Sequence, residues 1–192
     1  MKSNREKILE AAVAVFSKQG FHQARMEEIA QRARVGKGTI YLHFPNKAML
    51  FAAAASEGLD RIMDTIKKDL DSDLPFPDHF RLLIERSISL NLKNGDLSKI
   101  LFNELSSGIE PEAMKEIRAA RARYIVFITD MLEQGCALGY IKPVDFRAAA
   151  VGILGLMDGL CNHHFRSRKT LGRDTIAETM HTLLSSGLLV SK

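Results

Sequence analysis

The stretch "RVGKGTIYLHF", Arg34 to Phe44, decides how this chain is read. Its "GKGT" suggests a nucleotide-binding loop, whereas "TIYLHF" suggests a short helix with aromatic ends. A phosphate loop requires G-x-x-x-x-G-K-[ST] after a strand. Counting back from Gly36-Lys37 puts Gln31 at the first glycine position, Gly38 follows the lysine, and a helical pattern precedes the segment. The nucleotide reading fails on all three points, and the helix remains.

On a helical wheel with Ile40 turned inward and Phe44 on the same side, Gly38 and Leu42 point outward, flanked by Thr39 and Tyr41. Lys37 and His43 stand at the two ends. Such an outer face is a poor choice for a purely structural helix. Gly38 costs about 1 kcal/mol relative to Ala, and an outward Leu42 gains nothing in water. Both suit the floor of a DNA groove: Gly38 permits close backbone approach, Leu42 can meet a thymine methyl, and Thr39 can donate to a base edge. Lys37, Tyr41 and His43 can donate to phosphates and so fix register. Lys47 can do the same from the start of the next helix, where backbone N–H groups favour anions.

Working outward, Met26 to Ala33 reads as a short helix burying Ile29, Ala30 and Ala33, with Glu27 and Glu28 in its first turn. Helix, tight turn, helix is the arrangement in which the second helix enters the major groove. Upstream, Ser3-Asn4-Arg5-Glu6 is a capping box opening a helix with Ile8, Leu9, Ala12, Val15 and Phe16 on one face, and Gly20 is placed as its left-handed terminator. Residues 1–50 hold nine Lys and Arg against four acids, a charge of +5, whereas the whole chain carries +4. A basic head on a near-neutral body points to a polyanion.

Downstream the period stays helical and no sustained strand alternation occurs. After Pro45 and the capping residue Asn46, a long helix is expected from Lys47 to Leu70. "DSDLPFPD" (Asp71 to Asp78) breaks the chain, and helices follow near 79–94 and 96–107. Pro111 opens a helix running to about Leu138 before Gly139, Asp145 caps an apolar helix to about Phe165, and Thr175-Ile176-Ala177-Glu178 reads as a second capping box opening the last helix. The expected fold is all-α with about nine helices: a helix-turn-helix DNA-binding head at 1–47 and a helical body at 48–192.

Several functions are disfavoured. No run of about 18 apolar residues is available to span a membrane, and the N-terminus lacks the apolar core of a secretory signal, so a cytoplasmic protein is expected. Cys136 and Cys161 lack metal or redox spacing and read as free thiols. His163 and His164 point about 100° apart on a helix and cannot easily share one ion. No metal, cofactor or catalytic constellation emerges, so no enzyme is expected.

The segments "ILEAAVAVFSKQGF" and "IAQRARVGKGTIYLHFPNKAMLF" resemble the TetR family of bacterial transcriptional regulators. The shared pattern is an apolar helix ending in Gly20-Phe21, then Ile29-Ala30 with Ala33, Val35, Thr39-Ile40-Tyr41, His43-Phe44, and Lys47 with Leu50-Phe51. The resemblance covers about residues 5–51, and "LMDGL" in the body adds to it. It implies that Lys37, Gly38, Thr39, Tyr41, Leu42, His43 and Lys47 face operator DNA. Two positions depart from the pattern. Met26 stands where the family often has a phosphate-binding Thr, and Arg34 stands where the turn usually has Gly.

The resemblance also implies a body with two tasks, a small-molecule pocket and a two-fold dimer. Pocket candidates are Met63, Phe102, Tyr124, Phe127, Ile128, Met131, Met157 and Asp158. The dimer is expected through the last two helices, with Gly152, Gly155 and Gly159 on one and Ile176, Met180, Leu183, Leu184 and Leu188 on the other. The expected function is a homodimeric repressor released from its operator by a ligand that shifts the long helix beginning at Lys47. A helical small-molecule-binding protein with a degenerate head, and a constitutive DNA binder with a filled core, are the competing expectations.

Overall fold

The computed structural model describes residues 2–70, 75–93, 110–167 and 171–190, side chains of Asp69, Leu70 and Arg166 excepted. Eight helices are described: α1 (Asn4–Gln23), α2 (Met26–Ala33), α3 (Lys37–His43), α4 (Lys47–Leu70), α5 (Phe76–Lys93), α6 (Pro111–Ala137), α7 (Phe146–Arg166) and α8 (Arg173–Leu188). Among the described residues the only β pairing is an isolated antiparallel bridge, Ile141 with Leu189. The helix expected at 96–107 and the pocket candidate Phe102 lie outside the described residues.

Most helix ends follow from local chemistry. Ser3 and Glu6 form the full capping box at the start of α1. Asn46 Oδ1 accepts the Met49 N–H at 2.8 Å, and Asp145 Oδ1 accepts the Ala148 N–H at 2.8 Å. Three ends differ from expectation. Gly20 has φ 76° and ψ 170°, a glycine-only extended conformation, so it kinks α1 and the helix resumes to Gln23. α5 begins at Phe76 because Pro77 falls in the first turn, where no backbone donor is needed. α8 begins at Arg173 with Gly172 as its cap, so Thr175 and Glu178 lie inside the helix, where Glu178 pairs with Arg81 at 3.2 Å.

The chain divides into two compact units, Met1–Leu59 with Asn94–Arg121, and Asp60–Lys93 with Ala122–Lys192. The first is built on Ile8, Val15 and Phe16 of α1, Ile29 and Ala33 of α2, Ile40 of α3, Leu50 and Phe51 of α4, and Ile117 of α6. Phe16 meets Phe51 edge-on with centroids 5.1 Å apart, and Phe21 meets Phe51 at 5.4 Å. Each buried ring contributes about 1.5–3 kcal/mol by leaving water, which holds the three short helices despite their length.

The second unit packs α5, α7 and α8 around Phe80, Leu83, Ile84, Ile153, Leu154, Ile176 and Met180, all buried. At its α6 end, Gly135 is required by close packing: a Cβ there would lie 2.1 Å from Phe76 Cζ and 2.7 Å from Ile141 Cγ1. Phe76 in turn stacks on Tyr140 at 5.5 Å.

Candidate DNA interface and effector site

The turn between α2 and α3 is closed by Arg34, the one described non-glycine residue with positive φ (57°, ψ 44°). Its N–H and that of Val35 return to the carbonyls of Ala30 and Gln31 that the end of α2 leaves open. An L side chain in this conformation costs about 1–2 kcal/mol. Met26 is buried at the start of α2, where it serves the core and has no donor for a phosphate.

α3 presents two contrasting sides. Ile40 and, just beyond the helix, Phe44 are buried, whereas Leu42 is 83% and Tyr41 39% exposed. Gly38, Lys37 and His43 are exposed and Thr39 is half-buried. Leu42 thus stands in water with no apolar neighbour of its own helix to cover it. Lys37 Nζ lies 2.8 Å from Glu27 Oε1. That bond lowers the Glu27 pKa below its ordinary value and raises that of Lys37.

Lys47 is used differently from the other basic residues. Its ammonium donates to the carbonyls of His22 (3.0 Å) and Ala24 (3.1 Å) and sits 4.7 Å from the centre of the Phe21 ring. It therefore fastens the start of α4 to the end of α1, where cations complement the helix dipole. Arg25, Arg32 and Arg34 are exposed around α2.

Within the second unit, an interior cavity of about 10 Å³ is lined by Leu83, Ile84 and Ser87 of α5, Tyr124 and Ile128 of α6, Ile153, Leu154 and Met157 of α7, and Met180 of α8. It has room for about one water molecule. Ser87 Oγ and Tyr124 Oη share a hydrogen bond of 2.8 Å, and Asn91 Nδ2 donates to the Ser87 carbonyl at 2.8 Å. Burial, opposed by the Ser87 bond and reinforced by the charge of Asp158, pushes the Tyr124 pKa up to about 12. Burial first and Asp158 second push Cys161 up to about 11.

Of the expected pocket residues, the structure brings Tyr124, Ile128 and Met157 to this cavity. Met63 and Phe127 line a separate surface groove of about 330 Å³ with Asp60, Lys67 and Arg123. Met131 is buried and Asp158 half-buried, and neither lines these two spaces. Sequence reasoning missed Ser87 and Met180. Ser87 and Asn91 interrupt the apolar face of α5 at helical spacing, and that was the available signal.

The described residues contain no group of three side chains able to hold a metal ion, and no described helix is long and apolar enough to cross a membrane.

The paired short helices, the exposed face of α3 and the basic surface around them define a helix-turn-helix DNA-binding protein. The pattern described as "Bacterial regulatory proteins, tetR family" matches residues 8–54, and that described as "Tetracyclin repressor-like, C-terminal domain" matches residues 73–188. The chain belongs to the TetR family and is a DNA-binding transcriptional regulator. Regulators of this family bind operator DNA and small-molecule ligands and act as dimers. The chain is 27% identical to the "Fatty acid metabolism regulator protein" of Bacillus subtilis (strain 168) over 98% of each chain. It is 30% identical to the "HTH-type transcriptional regulator YhgD" of the same organism, again over 98% of each. Among solved structures it is similar to the transcriptional regulator FadR from Bacillus subtilis in complex with stearoyl-CoA, with TM-score 0.82 and 26% identity over 95% of this chain and 98% of that one.

Proposed function

We propose that this chain is a cytoplasmic homodimeric repressor whose α3 reads the operator and whose effector is a fatty acyl thioester bound in the second unit. The observation that carries the DNA half is the exposed Leu42 opposite the buried Ile40. In the groove, Leu42 and Thr39 meet base edges, Gly38 lets the helix approach, and Lys37, Tyr41 and His43 hold phosphates. Lys47 contributes through the α1–α4 junction as well as by its charge.

The effector reading is supported by the apolar cavity and by the likeness to a regulator solved with an acyl-CoA. A ligand of that size needs a few hundred Å³, so it enters by displacing side chains. Met157 and Met180, both lining the cavity, are unbranched and readily repacked. The ligand then favours a conformation with lower operator affinity, by the margin of its preference for that conformation.

For the dimer, α7 and α8 offer a face on which nothing is packed among the described residues. Added Cβ atoms at Gly152, Gly155 and Gly159 would meet nothing within 4 Å, and Leu183 of α8 is 55% exposed. Two copies joined here form a four-helix isologous contact.

The decisive experiment is a footprint on DNA upstream of the protein's own gene, repeated with Tyr41→Ala and Leu42→Ala and with acyl-CoA added. Protection that weakens in both variants and disappears with acyl-CoA supports the reading. Equal protection in all three proteins would overturn the assigned face.

A further inference from the structure

The interior cavity holds one chemical peculiarity that its apolar lining does not require. Ser87 and Tyr124 are 4% and 2% exposed, so neither hydroxyl reaches bulk solvent. Each hydroxyl has one O–H to donate. The single 2.8 Å bond between them uses one of the two, and the other O–H has no acceptor among the described residues. A buried donor left without an acceptor is costly and is uncommon in folded proteins.

The rest of the wall narrows what can complete the pair. Ile128, Leu154, Met157 and Met180 are apolar, and no cation is among the described lining residues. The Asp158 carboxylate is close enough to raise the pKa of both Tyr124 and Cys161. A carboxylate brought here would be desolvated without a counter-ion and repelled by Asp158. Tyr124 remains a protonated donor at every physiological pH, since its pKa is about 12.

We propose that the Ser87–Tyr124 hydroxyl pair is the site that reads the effector's head: it donates to a neutral carbonyl oxygen at the end of an apolar chain, and so admits acyl esters and thioesters while excluding the corresponding free acids. This rests on the effector reading above and adds the atom that recognises it. The chain of the ligand replaces the volume of Met157 and Met180, and its carbonyl oxygen accepts the spare O–H.

The test uses the full-length protein and three probes of matched chain length, taken as a series from eight to eighteen carbons: an acyl-CoA, the S-alkyl-CoA thioether that lacks only the carbonyl oxygen, and the free fatty acid. Affinities are read by calorimetry for the wild type, Tyr124→Phe and Ser87→Ala. Thermal melting checks that each variant is folded. The wild type is expected to prefer the acyl-CoA over the thioether by about fivefold or more, the discrimination a buried hydrogen bond of this type supplies. It should prefer the acyl-CoA over the free acid by a larger factor. Tyr124→Phe should bring the acyl-to-thioether ratio close to one, and Ser87→Ala, which leaves the tyrosine donor in place, should retain part of it.

An unchanged ratio in a folded Tyr124→Phe would overturn the hydroxyl pair as the reader while leaving an acyl-CoA effector intact. So would tighter binding of the free acid by the wild type. Absence of binding by every acyl-CoA in the wild type would instead remove the effector reading, and this inference with it.

Discussion

Glu27 Oε1 and Lys37 Nζ stand 2.8 Å apart across the turn that separates α2 from α3. The pair ties α2 to α3 and occupies the cation that the proposed interface turns to a phosphate. Both side chains are exposed, so the contact adds little to stability. Its consequence is for DNA. Glu27→Gln should release Lys37, raise affinity for operator and for unrelated DNA by a few-fold, and steepen the dependence of log affinity on log salt by about 0.9. Fluorescence anisotropy across a salt series measures both quantities. A slope identical to that of the wild type would show that Lys37 does not reach a phosphate.

The same pair has a defined pH window. The lowered carboxyl pKa of Glu27 means that its share of the interaction is full above the ordinary carboxylate range and is lost as pH falls through the lowered value. The raised pKa of Lys37 means that its share is full below the ordinary lysine range and is lost as pH rises through the raised value. The pair is therefore intact throughout the neutral range. The excess DNA affinity of Glu27→Gln over the wild type should stay flat between pH 6 and 8 in the same anisotropy measurement.

Arg34 holds φ 57° in a turn where the resemblance predicts glycine. Arg34→Gly removes about 1–2 kcal/mol of strain and adds part of it back through the freer unfolded chain. The net gain should be about 0.5–1 kcal/mol in chemical denaturation, whereas Arg34→Ala should stay near the wild type. Equal stability of the glycine and alanine variants would show that the left-handed backbone is not strained here.

Gly135 is the opposite case, a glycine held by its surroundings. The Cβ of Gly135→Ala would lie 2.1 Å from Phe76 Cζ, and that ring is stacked on Tyr140. The ring must shift, at a cost of about 1–3 kcal/mol. The expected result is a lower melting temperature, with partial recovery in the double variant Gly135→Ala with Phe76→Leu.

These positions also show what the sequence made legible. The capping pairs at Ser3–Glu6, Asn46 and Asp145, and the Met26–Ala33 helix, were readable because each rests on chemistry within four residues. With the apolar Ile40 taken as the inward direction, the outward turn of Leu42 followed from the helical period. The role of Gly135 was hidden because Phe76 lies 59 positions away in sequence. The bond between Ser87 and Tyr124 joins residues 37 positions apart, and the engagement of Lys47 with His22 depends on how α1 meets α4. Local spacing carries no record of such pairings. The start of α8 was misplaced for a different reason: Thr175-Ile176-Ala177-Glu178 satisfies the capping pattern, but Gly172 already holds the extended conformation of a cap, so the helix begins three residues sooner.

The proposed dimer face is tested by Leu183→Asp, a change on an exposed position that costs little within one chain. Sedimentation should show monomers at concentrations where the wild type is dimeric. Operator affinity should fall sharply, because each half-site then binds alone. A Leu183→Asp protein that remains dimeric places the interface elsewhere.

Lys47 separates structure from recognition most sharply. Its ammonium already serves the His22 and Ala24 carbonyls and the Phe21 ring, so Lys47→Ala removes a clamp between α1 and α4 as well as a positive charge. Charge-assisted hydrogen bonds contribute about 1.5–3 kcal/mol in favourable settings, and a visible loss of thermal stability is expected. If Lys47 acts on DNA only by holding the junction, Lys47→Met, which keeps most of the apolar stem, loses stability without changing the salt slope of operator binding. If it also touches a phosphate, the slope falls by about 0.9. Melting curves and anisotropy measured on the same preparation decide between the two.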